Sequence, residues 1–376
     1  MISYGKQSID QSDIDSVVSV LKSDFLTQGN QVPLFEKSLT EYTGANYGVA
    51  VNSGTSALHI ACLALGVGQG DIVWVPAISF VASANCALYC GADIDFVDVD
   101  SMSGNIDIEA LSDKLKKTDR NKIPKVIVVV HMAGNPCDLE TICNLVRPFN
   151  IKIIEDASHA LGAEYKSKKI GSCEFSDIST LSFHPVKIIT TGEGGMSLTN
   201  SKSLSDKMRL LASHGITKDK NIMTLDDPWC YEQHALGYNY RMSDIQAALG
   251  VNQIKRIDSF IENRKKIAKK YDQAINSKKI TQVKQNKEGS SSYHLYTVKV
   301  DPKLRKELYE YLNKNDIGSQ VHYYPIPLQP YYKNLGFKQG DYVGAENYYS
   351  HTLSIPIYPT MSESQIEKVV GALNEF

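Results

Sequence analysis

Between residues 46 and 200 the chain alternates short apolar, β-branched runs with amphipathic stretches, and no other feature restricts its fold as much. Tyr47–Val51 and residues 72–75, 94–97, 125–130 and 151–154 have the length and composition of strands, and helical patterns separate them. Strands joined through helices run parallel, and a parallel sheet is covered on both faces. The expected fold class is therefore α/β, a mostly parallel mixed sheet covered by helices. Two further strands are expected at Ile178–Ser182 and at 196–199.

After Leu204 the pattern turns helical. Ser243-Asp244-Ile245-Gln246 has the form of a helix cap, and apolar residues at Ile245, Leu249, Ile254, Ile257 and Ile261 predict one long helix running toward Ile275. Strands near Tyr296–Val300 and 320–323, with helices near 303–315 and 364–374, predict a smaller α+β unit. The expected division is a large domain over residues 1–250, including an N-terminal segment, and a small C-terminal domain over 251–376 entered by the linking helix. A chain of 376 residues with 42% hydrophobic content can bury both cores.

Charge and cysteine usage narrow the setting. A net charge of -2 gives no reason to expect a nucleic-acid or membrane surface, and the basic stretch around Arg264, Lys265 and Lys266 reads as a solvated helix face. The seven cysteines include no Cys-x-x-Cys pair, and free thiols suit the cytoplasm. The longest apolar run falls far short of the ~18 residues that span a bilayer, and the N-terminus has no apolar signal core. No His-Glu-x-x-His pair, Cys/His cluster or Gly-x-Ser-x-Gly elbow is present, so no metal is expected. Gly66-Val67-Gly68-Gln69-Gly70 follows a helix and precedes a strand, the reverse of a dinucleotide loop.

Two motifs carry chemistry. Lys187 stands in Ser182-Phe183-His184-Pro185-Val186-Lys187, between a proline turn and the glycine loop Gly192-Glu193-Gly194-Gly195. Desolvation of a lysine on such a constrained loop frees an amine that condenses with an aldehyde. Asp156, in Glu155-Asp156-Ala157-Ser158-His159, ends an apolar strand where open α/β sheets bind ligands. Together they point to pyridoxal 5′-phosphate, with Lys187 as anchor and Asp156 beside the pyridine nitrogen. Asn52-Ser53-Gly54-Thr55-Ser56 follows a strand and opens a helix, where free N–H groups and hydroxyls suit a phosphate as well as they suit a plain helix cap. Ser182 is a second phosphate donor. Phe80 is placed either to stack on the cofactor ring or to fill a core, and His159 either to reach the ring hydroxyl or to serve structure.

These residues, in this order, resemble the DegT/DnrJ/EryC1/StrS family of sugar-nucleotide aminotransferases, fold-type-I enzymes of pyridoxal phosphate. The resemblance runs from Leu26-Thr27-Gln28-Gly29 through the motifs above to Gly237-Tyr238-Asn239-Tyr240-Arg241. It implies a homodimer with shared active sites, in which Asn239 reaches the neighbouring subunit's cofactor phosphate. It also implies that Gly54, Thr55, Ser56 and Ser182 hold the phosphate in their own subunit, with Phe80 on one ring face and Ser158 on the other. Tyr4, Leu26, Thr27, Gln28, Gly29, Ser56, Ser182, Asn239 and Arg241 would approach the sugar nucleotide, and His322 and Tyr323 would bring rings toward its uracil.

Within the family, the segments 79–85 and 183–195 resemble members of pseudaminic acid biosynthesis. Those members aminate C4 of a UDP-linked 4-keto-6-deoxy-N-acetyl-hexosamine to give UDP-4-amino-4,6-dideoxy-N-acetyl-β-L-altrosamine, with L-glutamate as donor. A transaminase for a legionaminic- or perosamine-type precursor is the alternative, followed by a non-catalytic binding homologue. Lys187 stands against the family's dehydratases, which carry histidine there.

Overall fold

The computed structural model describes residues 1–376. Seven strands make the central sheet: β1 Tyr47–Val51, β2 Ile72–Pro76, β3 Asp93–Val97, β4 Val126–Val130, β5 Lys152–Asp156, β6 Ile178–Ser182 and β7 Gly195–Thr199. Their spatial order is β1-β7-β6-β5-β4-β2-β3, and β7 alone runs against its neighbours. Burial on both faces explains why β4 reads as five consecutive valines and isoleucines. Val126, Val128 and Val130 belong to one hydrophobic core and Ile127 and Val129 to the other. The expected α/β sheet covered by helices is the architecture observed.

Helix Gly54–Ala64 packs on one face of the sheet beside Ala82–Tyr89, and Gln31–Thr43 packs with Asp244–Ile254 on the other. The start of Gln31–Thr43 has no cap from Asn30. The buried Asp244 carboxylate supplies it from a distance, accepting hydrogen bonds from the N–H groups of Gly29 (2.6 Å), Gln31 (2.9 Å) and Val32 (3.2 Å). Ser243 forms the expected capping box with Gln246 at the start of its own helix.

That helix is shorter than the sequence pattern predicts. It ends at Ile254, and a second helix, Ile257–Ala274, follows after a break at Lys255 and Arg256. Tertiary partners explain the break. Arg256 pairs with Asp10 and with the fully buried Asp13, whose carboxylate also accepts from Asn252 and Gln253 at 2.8 Å each. Holding these three side chains on one N-terminal carboxylate bends the chain, and no local pattern reports it.

The second helix joins two cores. Ile257, Phe260 and Ile261 pack with the large sheet, while Ile267, Ala268 and Tyr271 pack with a C-terminal core. The C-terminal core surrounds an antiparallel sheet of Ile280–Gln282, Tyr296–Val300 and Thr352–Ile355, covered by Pro302–Lys314 and Glu363–Glu375. Ile2 crosses to this core and bridges to Ile317. Arg264 is buried between the cores and donates to the carbonyl oxygens of Tyr293 (3.1 Å), His294 (3.2 Å) and Ile357 (3.0 Å), with burial pushing its pKa down to about 9.

The strand expected at 320–323 is absent. Gln320 exchanges two backbone bonds with Ser354, at 3.0 and 2.8 Å, and the chain then leaves the sheet. Its departure carries His322 and Tyr323 to the cavity described next. The sheet's edge strand is instead Thr352–Ile355, which the sequence pattern did not single out.

Candidate active site

A cavity of about 570 Å³ opens at the carboxyl ends of the parallel strands. β5 delivers Asp156 to it, β6 delivers Ser182, the loop after β6 delivers Lys187, and β1 leads into Ser53, Gly54 and Thr55. The antiparallel β7 starts at this same end. Gly195 packs so tightly on the helix start that a Cβ there would lie 2.3 Å from the Ser53 carbonyl oxygen. A Cβ on Gly54 would lie 2.8 Å from that of Ser182. These two glycines allow the Ser182 strand and the Gly54 helix to converge.

The helix start has the chemistry of an anion cradle. Ser53 caps it, accepting from the Ser56 N–H at 3.1 Å, while the N–H groups of Gly54 and Thr55 have no partner in the chain. Unpaired N–H groups at the positive end of a helix suit a phosphate. Ser56 is placed differently from expectation. Its hydroxyl donates to Asn52 Oδ1 at 2.7 Å and lies 2.9 Å from the Ser53 hydroxyl, so it braces the turn from behind and does not line the cavity. Ser53, which the sequence reading passed over, lines the cavity in its place.

Asp156 is buried and held on both oxygens. The Ser83 hydroxyl donates to Oδ2 at 2.6 Å, and Ser158 donates to Oδ1 through its hydroxyl (2.6 Å) and N–H (3.2 Å). Ser79 extends the chain, 2.8 Å from Ser83. Strand alternation sends Glu155 to the other side of the sheet, where His131 Nε2 lies 3.0 Å from its carboxylate. The Cys137 N–H donates to His131 Nδ1, which fixes Nε2 as the protonated nitrogen and the donor to Glu155.

Lys187 is half-buried and lines the cavity. Burial lowers its pKa to about 8, opposed by the attraction of Asp156. His159, His294 and His322 also face the cavity, and burial lowers all three pKa values, that of His322 to about 3. All three rings are therefore neutral near pH 7. His159 Nε2 pairs with the Tyr323 hydroxyl at 3.1 Å while its Nδ1 has no partner, and His322 Nδ1 pairs with Ser354 at 2.9 Å. His294 and Ser83 are site residues that sequence reasoning missed, since one is a lone histidine and the other a helical serine.

Phe80 stands 56% exposed at the cavity mouth with its ring 6.0 Å from that of Tyr323, and Tyr4 lies 5.4 Å from His322. A neighbouring cavity of about 670 Å³ shares Ser79, Phe80 and Tyr323 and is walled by Tyr89, Tyr324 and Tyr331. It holds no lysine or carboxylate, so the reactive groups belong to the smaller cavity. Asn239 and Arg241 do not reach that cavity in their own chain. Asn239 is exposed, and Arg241 donates to the Ser213 hydroxyl at 3.1 Å. Leu26, Thr27 and Gln28 are exposed as well, and with Gly29 they lie against Ser243 and Asp244 outside the cavity.

This arrangement can be set beside known proteins. The chain is 42% identical over 366 residues to the UDP-4-amino-4,6-dideoxy-N-acetyl-β-L-altrosamine transaminase of Campylobacter jejuni, covering 96% of this chain and 94% of that one. Its structure is similar to that of Helicobacter pylori PseC, an aminotransferase involved in the biosynthesis of pseudoaminic acid, with TM-score 0.91 and 32% identity across 100% of this chain and 98% of that one. It is equally similar to an aminotransferase from Psychrobacter cryohalolentis, with TM-score 0.92, 28% identity and the same coverage. The model of the DegT/DnrJ/EryC1/StrS aminotransferase family matches residues 7–374, and the chain belongs to that family of enzymes.

Proposed function

We propose that this cavity is the active site of a pyridoxal-phosphate transaminase of pseudaminic acid biosynthesis. It would convert a UDP-linked 4-keto-6-deoxy-N-acetyl-hexosamine to UDP-4-amino-4,6-dideoxy-N-acetyl-β-L-altrosamine with L-glutamate as donor. The observation that carries the reading is the convergence of Lys187, its pKa lowered to about 8, with the doubly held Asp156 and the open helix start at Gly54. The 42% identity to the Campylobacter transaminase supports the choice of sugar.

The cofactor, when bound, supplies an aldehyde that captures amines and a ring that accepts the electron pair left on the neighbouring carbon. Asp156, held in place by Ser83 and Ser158, would pair with the ring nitrogen. The N–H groups of Gly54 and Thr55 with the Ser182 hydroxyl would hold the phosphate, while Phe80 and Ser158 flank the ring and His159 meets its hydroxyl. Lys187 would anchor the cofactor and, once displaced by glutamate, carry the proton from the donor's α-carbon; in the second half it works in reverse on the keto-sugar. Tyr4, His322 and Tyr323 would face the sugar, with the tyrosine-walled cavity beside them suited to the uracil.

A homodimer completes this reading. The exposed Asn239, Arg241 and the segment of Leu26, Thr27, Gln28 and Gly29 would serve the neighbouring subunit's site. Exposed apolar side chains at Phe80, Trp229 and Leu236 support a covered face. We further propose that the two cores act as two domains, residues 1–250 and 251–376, joined through Ile257–Ala274. No helix is long and apolar enough to cross a membrane, and we place the enzyme in the cytoplasm, without a nucleic-acid partner.

Assaying UDP- and GDP-linked 4-keto-6-deoxy sugars side by side, with glutamate, tests the substrate. Amination of the UDP-linked N-acetyl sugar at C4, with 2-oxoglutarate released, is expected. Preference for the GDP-linked sugar would overturn the reading in favour of a perosamine-type transaminase.

A further inference from the structure

Tyr323 lines both cavities, brought there by the chain that leaves the C-terminal sheet after Gln320. Its hydroxyl lies 3.1 Å from Nε2 of His159, just beyond the end of β5, and makes no other hydrogen bond in the chain. The two rings are 22° apart with centroids at 6.1 Å, and the His294 ring lies 4.5 Å from that of His159. The C-terminal core therefore holds His159 through two of its side chains. His159 Nδ1 is buried without a partner, which leaves Nε2 as the nitrogen that a ligand in the cavity can reach. A ring nitrogen has one hydrogen-bonding direction, so an oxygen that comes to Nε2 must lie beside the Tyr323 hydroxyl.

We propose that Tyr323 donates a second hydrogen bond, beside that of His159, to the ring oxygen of the bound cofactor. The inference rests on the cofactor reading above, which gives that oxygen to His159 and gives Tyr323 only a place near the sugar. An unpaired buried acceptor costs less than an unpaired buried N–H, so the His159 proton sits on Nε2. Tyr323 accepts from it and has its own O–H left to give. That O–H is retained, because burial, ahead of the Asp156 charge, raises the pKa of the Tyr323 hydroxyl. Two donors at one oxygen draw its negative charge away from a proton held between that oxygen and the nitrogen of Lys187. The proton is then lost at lower pH. The other titratable groups facing the pair are Asp156, Tyr4, Tyr348 and Lys187, with His294 and His322, and Tyr323→Phe leaves all of them in place.

Tyr323→Phe keeps the ring against Phe80 and His159 and removes only the hydroxyl. Two measurements without turnover test the proposal. In the holoenzyme, the visible band of the lysine-bound cofactor is titrated with pH. Its midpoint should rise by about one pH unit in the variant, a tenfold change in that proton equilibrium. In the apoprotein, equilibrium dialysis compares pyridoxal phosphate with its analogue that lacks the ring hydroxyl. The variant should bind pyridoxal phosphate about tenfold more weakly than the wild type, and the two proteins should bind the analogue equally. An unmoved midpoint, or equal weakening toward both compounds, would make Tyr323 a packing residue and overturn the proposal while the cofactor reading stands. A wild-type protein that takes up no pyridoxal phosphate would overturn that reading and this inference with it.

Discussion

At pH 7 a lysine with a pKa of about 8 is free amine to about one part in ten, against a few parts in ten thousand for an ordinary lysine. Capture of the cofactor aldehyde by the apoprotein should therefore rise with pH and level off above about 8, because the ammonium form present at lower pH has no lone pair to give. A rise that continued toward pH 10 in stopped-flow absorbance would show an unperturbed amine. Lys187→Ala should lower turnover by at least the ~10²–10⁴-fold typical of positioned acid–base groups, while cofactor still binds without a covalent link. Normal sugar amination by that variant would sink the assignment. Lys187, Asp156, Thr55 and Ser182 were legible because each follows a strand in a recognisable local order. Ser83 and His294 were not, since each meets the site only through contacts between segments far apart in the chain.

Elements show the same division. β4 stood out because a strand buried on two faces must be apolar throughout, a demand written locally into the chain. The break at Lys255 and Arg256 follows from a remote partner, Asp13, and the strand expected at 320–323 is cut to the single pairing of Gln320 with Ser354. Asp244 is a similar remote device, and Asp244→Ala should cost about 2–3 kcal/mol by stripping three backbone N–H groups of a charged acceptor. Urea unfolding monitored by circular dichroism measures it. A loss below about 0.5 kcal/mol, the level of an ordinary surface change, would mean that water caps Gln31–Thr43 equally well.

On the scale of the whole molecule, the cavity of a single chain holds only one lysine and no arginine, although its proposed ligands carry phosphates and carboxylates. A second copy bringing Asn239 and Arg241 would answer that shortage. Mixing inactive Lys187→Ala and Asn239→Ala subunits after dissociation then has a distinctive outcome. Half of randomly paired dimers are mixed, and each mixed dimer has one site with both residues intact, so about a quarter of wild-type activity should return. No recovery in the refolded mixture would show that Asn239 serves its own subunit. The amino-acid sequence by itself determined the α/β class, the strand positions, the lysine and aspartate of the site and the family, because those rest on burial periodicity and on motifs read within one segment. Only the tertiary structure decided which serines hold Asp156, which hydroxyl at the helix start faces the cavity and where the linking helix breaks. Each of these depends on distances between segments that the order of residues does not contain.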